Sequence, residues 1–124
     1  MIWLVIAVAG ALGATARYLV DHLVSARLSG VFPWGTFAIN VSGSFLAGIV
    51  TGLLTAGRVS AAAATVVAGG FLGAYTTFST AMYETARLLE DGANRVVIGN
   101  LLFPLGASVA AAALGLGLVL ALVG

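Results

Sequence analysis

Residues 69–80 read Gly69-Gly70-Phe71-Leu72-Gly73-Ala74-Tyr75-Thr76-Thr77-Phe78-Ser79-Thr80, and this stretch decides the fold of the chain. It lies inside an apolar run, where a plain lipid-embedded helix would carry Leu, Val and Ile. Its glycines weaken a helix, and its Ser and Thr side chains compete for backbone hydrogen bonds. Non-helical backbone survives at membrane depth only where protein or a polar cavity covers it. The stretch therefore predicts a broken helix that serves a bound ion or a permeation path.

The composition of the whole chain indicates an integral membrane protein. Of its 124 residues, 61% are hydrophobic and 7% are charged, which lies far from the composition of soluble domains. The chain has no cysteine, so a disulfide, a thiol nucleophile and a cysteine metal site are all excluded. The net charge is +1 and the arginines are scattered, so a nucleic-acid partner is not indicated.

The apolar runs predict an all-α membrane protein with one four-helix transmembrane domain spanning residues 1–124. The predicted helices cover about residues 2–20, 33–54, 61–89 and 96–123, each long enough to cross ~30 Å of hydrocarbon. The chain enters the first run without a basic segment, which favours a retained spanning helix over a cleaved signal peptide. Four spans place both termini on one side, and the arginine positions favour the outside.

Polar residues inside the first two spans have two interpretations each. Thr36, Asn40 and Ser44 recur every four residues and so share one helix face. An amide in a membrane helix is costly unless it is hydrogen-bonded, so Asn40 either joins two helices or lines a pore. Arg17, expected in the last turn of the predicted first helix, either snorkels to the interface or attracts anions to a vestibule.

The third and fourth spans carry further polar positions. Glu84 and Arg87 are three residues apart, which predicts a local ion pair, with a coupling carboxylate as the alternative. Asn100, Pro104 and Ser108 are again spaced by four. Pro104 removes a backbone donor, so a bend is expected there.

This inventory does not indicate an enzyme. The one histidine, His22, falls in a predicted link, and a His/Cys metal site is excluded. A proton-coupled exporter would keep an ionisable group near the bilayer midplane, which the first two spans lack. Neutral hydrogen-bond donors and aromatic ring edges remain, and these can replace part of an anion's hydration shell. Carbonyls freed at the break of the third helix could instead coordinate a small cation, so the pattern predicts an ion site and does not name the ion. The hydroxyl donors predicted for this site and its pore are those of Thr36, Ser44, Thr76, Thr77, Ser79, Thr80 and Ser108.

Three segments resemble the Fluc (CrcB) fluoride channels. They are Gly73-Ala74-Tyr75-Thr76-Thr77-Phe78-Ser79-Thr80 with Glu84 following, Pro33-Trp34-Gly35-Thr36-Phe37-Ala38-Ile39-Asn40-Val41-Ser42-Gly43-Ser44-Phe45, and Gly13-Ala14-Thr15-Ala16-Arg17-Tyr18. The resemblance covers three of the four predicted helices in order.

The resemblance implies a passive, fluoride-selective channel of the microbial inner membrane. It implies an antiparallel, dual-topology dimer with two pores in the lipid bilayer and a structural sodium ion at the dimer centre. Carried over by motif, the sodium ligands are the backbone carbonyls of Gly73 and Thr76. Phe78 and Asn40 correspond to pore residues, and Arg17 to the aqueous vestibule.

Two features depart from the family pattern. The polar track expected in the fourth helix is less recognisable, with Asn100, Pro104 and Ser108 as its candidates. Relatives usually carry a second phenylalanine three residues after the first, and this chain has Ala81 there. The departure leaves three arrangements open: a conducting homodimer, a heterodimer with a paralogue and a degenerate pore, or a non-conducting scaffold subunit. A small proton- or sodium-coupled transporter is the remaining alternative.

Overall fold

The structure is a computed structural model that describes residues 1–28, 30, 32–92 and 94–124, with the side chains of residues 79, 96 and 100 outside the description. Within these residues, four helical stretches are long and apolar enough to cross a membrane. They cover Ile2–Arg27, Trp34–Thr55, Ala61–Glu90 and Val97–Val123. The predicted all-α, four-span architecture is therefore confirmed at the level of helix length and composition.

The first helix, α1, spans Ile2–Arg27 and is longer than the predicted 2–20. The polar residues that suggested a link are compatible with a helix, because Ser25 Oγ lies 3.4 Å from Asp21 Oδ1 one turn away. The Leu28 N–H still donates to the Val24 carbonyl at 2.8 Å. His22 therefore belongs to a helix, and Arg17 lies ten residues, or about 15 Å, before the end of α1.

The second helix, α2, spans Trp34–Thr55, with Pro33 just before its first residue. The helix α6 spans Asn94–Val123 and contains Pro104. Phe37 stacks on Phe103 with ring centroids 5.0 Å apart. Further along both helices, Gly48 lies against Ala112 and Gly52 against Val119. The two helices therefore run in the same direction, while the bend expected at Pro104 remains a prediction.

The span at residues 61–90 consists of several short segments. It begins with α3 at Ala61–Ala64, where Ser60 Oγ accepts from the Ala63 N–H at 3.1 Å. A π-helix follows at Thr65–Leu72, then α4 at Gly73–Tyr75 and α5 at Ser79–Glu90. Residues 76–78 lie between α4 and α5. Sequence reasoning did not predict the wider π-helical turns.

Glycines allow close approach between the helices at two places. A Cβ at Gly48 would overlap the Ala112 carbonyl oxygen, and one at Gly115 would overlap the Phe45 carbonyl. On the other side, a Cβ at Gly13 would overlap the Phe71 carbonyl of the π-helix. Small residues let membrane helices pack backbone to backbone. In this way α6 packs closely on α2, and the third span packs closely on α1.

The buried core lies beside the interrupted segment. Ile39 of α2 is 2% exposed and packs with Leu72 and Tyr75 of the third span. The Tyr75 hydroxyl is 2.9 Å from Ser42 Oγ, which satisfies this buried phenol. The core thus fixes the chain immediately before residue 76 against α2.

Candidate functional site

The helix of the third span ends in a defined way at Thr76. This residue has φ −76° and ψ 158°, an extended conformation. Its N–H and its hydroxyl both donate to the Leu72 carbonyl, each at 2.9 Å. The chain therefore leaves the helix at Thr76 and re-enters one at Ser79.

Asn40 of α2 binds the backbone of this interruption with both ends of its amide. Its Nδ2 donates to the Thr77 carbonyl at 2.8 Å, and its Oδ1 accepts from the Thr77 N–H at 2.9 Å. Backbone groups without partners are costly inside a membrane, and this pairing supplies partners to two of them. The interhelical role considered for Asn40 is therefore confirmed.

Thr77 is itself part of the local framework. It is 8% exposed, and its Oγ1 accepts from the Thr80 N–H at 3.2 Å. This bond satisfies one of the free donors in the first turn of α5, as helix-capping side chains do. The Thr77 hydroxyl is thus engaged with backbone, whereas Thr80 is exposed.

These contacts change the partners of two carbonyl groups. In an unbroken α-helix, the Thr77 N–H would donate to the Gly73 carbonyl and the Thr80 N–H to the Thr76 carbonyl. Here the first donates to Asn40 and the second to the Thr77 hydroxyl. Gly73 is exposed, and a Cβ there would have only the Ala68 carbonyl within 4 Å, at 3.6 Å. The Gly73 and Thr76 carbonyl oxygens are therefore without their helical donors.

A groove of about 630 Å³ runs beside the interruption, between α2, the third span and α6. Phe78, which is 76% exposed, lies at this groove. The polar residues that line it are Asn40, Ser44, Thr76, Thr77 and Ser108. Apolar residues complete the lining, including Ala81, Met82 and Pro104. The arrangement offers neutral donors along an otherwise apolar path.

Thr36 lies outside this groove and contacts the third span one turn further along. It is 5% exposed, and its hydroxyl donates to Glu84 Oε1 at 2.6 Å. The predicted ion pair between Glu84 and Arg87 was wrong, because Arg87 instead donates to the Tyr83 hydroxyl at 3.1 Å. The partly buried Glu84 carboxylate thus finds its partner in Thr36 of another span. The spacing of residues in the sequence had suggested Arg87 instead.

The structure thus brings together most, but not all, of the predicted site residues. Asn40, Thr77, Phe78 and Ser108 share the groove. Arg17 lies on α1, half-buried and outside the groove lining. The predictions for the side chains of Ser79 and Asn100 fall outside the described residues.

The Glu84 contact is the functional feature that sequence reasoning missed. A carboxylate in a span is a signal by itself, but its partner is 48 residues away. Among the described residues, no group of three or more His, Cys, Asp or Glu side chains could hold a metal ion.

Comparison with known proteins identifies similar sequences along most of the chain. Residues 4–116 match the family described as CrcB-like protein, Camphor Resistance (CrcB). The chain is 44% identical over 120 residues to "Fluoride-specific ion channel FluC 1" of Symbiobacterium thermophilum, covering 95% of this chain and 97% of the relative. It is 42% identical over 115 residues to the FluC 1 of Streptomyces avermitilis, with 93% of each covered. A "FluC 2" of Clostridium acetobutylicum is 45% identical over 91 residues, covering 73% and 74%.

Proposed function

Because this chain belongs to the CrcB (FluC) family, whose curated relatives are named fluoride-specific ion channels, we propose that it is a channel through which fluoride leaves the cell passively. The family consists of channels and not enzymes. The channel lies in the inner (plasma) membrane as an antiparallel dimer of dual topology, with a structural sodium ion at the dimer centre.

One observation carries the proposal: a groove with neutral polar side chains among its apolar lining lies beside a non-helical backbone segment in the middle of the third span. Asn40 pairs with Thr77 at the segment, and Ser44 and Ser108 line the groove beside it. Neutral amides and hydroxyls can replace an anion's water without binding it too tightly to leave. Phe78 adds a ring whose electropositive edge attracts an anion.

The exposure of this site favours a second subunit. Phe78 is 76% exposed and Gly73 is exposed, yet both lie in a span where lipid would otherwise face them. Polar, non-helical backbone is not tolerated against lipid. A second copy that covers this face would complete the groove and bury the interruption, which is the reason for placing the dimer interface here.

The same segment suits a sodium ion. Backbone carbonyls released at a helix interruption coordinate Na⁺ in membrane proteins. Gly73 and Thr76 are the carbonyls whose helical donors are engaged elsewhere, so the residues present fit the ion. Two subunits would supply two such pairs. The bound ion would offset the partial negative charge of the carbonyls and join the subunits.

The proposal also gives parts to the remaining site residues. Asn40 and Ser108 line the fluoride path with Phe78. Thr36 lies near one end of the groove with Glu84, and Arg17 raises the local anion concentration at the vestibule. Thr77 and Thr80 contribute through the backbone of the interruption, and the predicted place of Ser79 in the pore stays a prediction.

Ala81 lines the groove and motivates a second candidate arrangement. The numbering of relatives as FluC 1 and FluC 2 hints at paralogous pairs. A heterodimer with one degenerate pore would accommodate the missing ring at Ala81. Tagging the chain at both termini in native membranes separates the arrangements, since a single insertion orientation requires an unlike partner.

A flux measurement tests the function itself. Purified protein is reconstituted in liposomes loaded with potassium fluoride, and a potassium ionophore is added while a fluoride electrode records release. We expect rapid fluoride efflux, with chloride retained in parallel vesicles. Efflux that requires an imposed proton or sodium gradient would indicate a coupled transporter. If folded protein releases no fluoride, alone or with a candidate paralogue, the proposal is wrong.

A further inference from the structure

Two side chains accept backbone N–H groups at the interruption of the third span. Asn40 Oδ1 accepts the Thr77 N–H at 2.9 Å, and Thr77 Oγ1 accepts the Thr80 N–H at 3.2 Å. Each bond engages an N–H group that would donate, in a continuous helix, to the carbonyl four residues earlier. The Thr77 N–H is diverted from Gly73, and the Thr80 N–H from Thr76.

We infer that Asn40 and Thr77 are positioning residues that create the sodium site by withdrawing the helical donors from the Gly73 and Thr76 carbonyls. The inference rests on the proposed sodium ion and explains why the Gly73 and Thr76 carbonyl oxygens are free to bind it. It assigns Asn40 a second role beside the pore, because one amide both lines the groove and holds the neighbouring backbone open.

The energetics of the surroundings support this assignment. A backbone N–H in an apolar span must find an acceptor. If Asn40 Oδ1 is removed, the Thr77 N–H can donate instead to the Gly73 carbonyl, its usual helical acceptor. That bond would use the oxygen that the sodium ion needs as a ligand. In the same way, without the Thr77 hydroxyl the Thr80 N–H can donate to the Thr76 carbonyl. Helix closure and sodium coordination therefore compete for the same two oxygens.

The two sites are also mechanically connected. The Asn40 Nδ2 bond to the Thr77 carbonyl, at 2.8 Å, fixes the Thr77–Phe78 peptide. The Oδ1 bond fixes the preceding Thr76–Thr77 peptide, which carries the Thr76 carbonyl. Thr77 is 8% exposed, so little of its surface reaches water. The orientation of the Thr76 carbonyl is thus set by α2 as well as by its own span.

The test is the sodium dependence of dimer stability, which does not require ion conduction. Melting temperatures of the purified dimer are compared in sodium chloride and in N-methylglucamine chloride. Wild type should gain about 5 °C with saturating sodium, since a ligand that binds only the folded state raises stability by mass action. Thr77→Val should abolish this gain, and Thr77→Ser, which retains the hydroxyl, should restore it.

A second pair of variants addresses Asn40 in the same way. Asn40→Leu should lose the sodium dependence, whereas Asn40→Asp retains an acceptor for the Thr77 N–H and should keep it. Thr65→Val is the matched control, because the Thr65 hydroxyl donates to Ala61 within its own helix; it should behave as wild type. Should Thr77→Val fail to fold, the Asn40 pair decides.

The outcomes separate this inference from the proposed function. If wild type shows no sodium dependence, the proposed sodium site is wrong and this inference is wrong with it. If wild type shows the dependence and both Thr77→Val and Asn40→Leu keep it unchanged, the sodium site stands and the positioning role is overturned. Fluoride efflux is measured separately and decides neither outcome.

Discussion

Asn40 holds both backbone groups of Thr77, with bonds of 2.8 and 2.9 Å from the two ends of one amide. The two residues are 37 positions apart in the chain and belong to different spans. A side chain from a continuous helix thus completes the backbone hydrogen bonding of an interrupted one. The pairing explains how Thr77, a non-helical residue, can be buried inside a membrane-spanning segment.

Replacing Asn40 with Asp should suppress fluoride efflux by at least about tenfold. The substitution places a carboxylate at the groove and removes the N–H that bonds to the Thr77 carbonyl. Leaving that acceptor unsatisfied should also cost about 1–3 kcal/mol of stability. Flux in liposomes and thermal unfolding measure the two effects. Asn94→Asp, on an exposed residue, is the control, and normal flux through Asn40→Asp would place Asn40 outside the pore.

Phe78→Ile should impair fluoride efflux and leave the protein folded. The change removes the ring edge but keeps an apolar side chain of similar bulk, and the ring is 76% exposed, so little packing within the subunit is lost. Efflux and size-exclusion profiles are compared with those of Phe103→Ile. Phe103 is also exposed and aromatic but does not line the groove. Equal flux in the two variants would contradict a pore role for Phe78.

Thr36→Val should destabilise the protein by about 1–2 kcal/mol, because it leaves the partly buried Glu84 carboxylate without its 2.6 Å donor. Thr36→Ser keeps the hydroxyl and should retain most of the stability. Chemical unfolding in detergent measures both. The control is Thr51→Val, since the Thr51 hydroxyl donates to the Ala47 carbonyl one turn earlier in its own helix. An identical stability for Thr36→Val and Thr51→Val would show that the contact contributes nothing.

Gly48→Ala should weaken the packing of α2 against α6. The added Cβ would overlap the Ala112 carbonyl oxygen, so the two helices must separate and lose contact along their length, at a cost of about 2 kcal/mol or more. Gly117→Ala is the matched control, because nothing lies within 4 Å of its Cβ. That variant should be neutral or slightly stabilised by its better helix propensity. Thermal unfolding distinguishes the two.

Local patterns in the sequence were sufficient for the four spans, because apolar runs of membrane length have few other structures available. They also identified the polar helix face that carries Asn40. The extension of α1 through Asp21 was missed because polar residues at a helix end resemble a link. The partner of Glu84 was missed because residue spacing reports only neighbours on the same helix, and Thr36 lies on another.

Ala81→Phe tests the position at which this chain departs from its relatives. Ala81 is half-buried and lines the groove beside Phe78, and a groove of about 630 Å³ has room for a second ring. We expect the variant to fold and to release fluoride faster than wild type, because a second ring edge would face the anion path. Ala86→Phe, on an exposed position of α5 outside the groove lining, controls for the added bulk. A folded Ala81→Phe variant with reduced flux would mean that the open space beside Phe78 is filled in the assembled channel, and that the partner subunit supplies the missing contact.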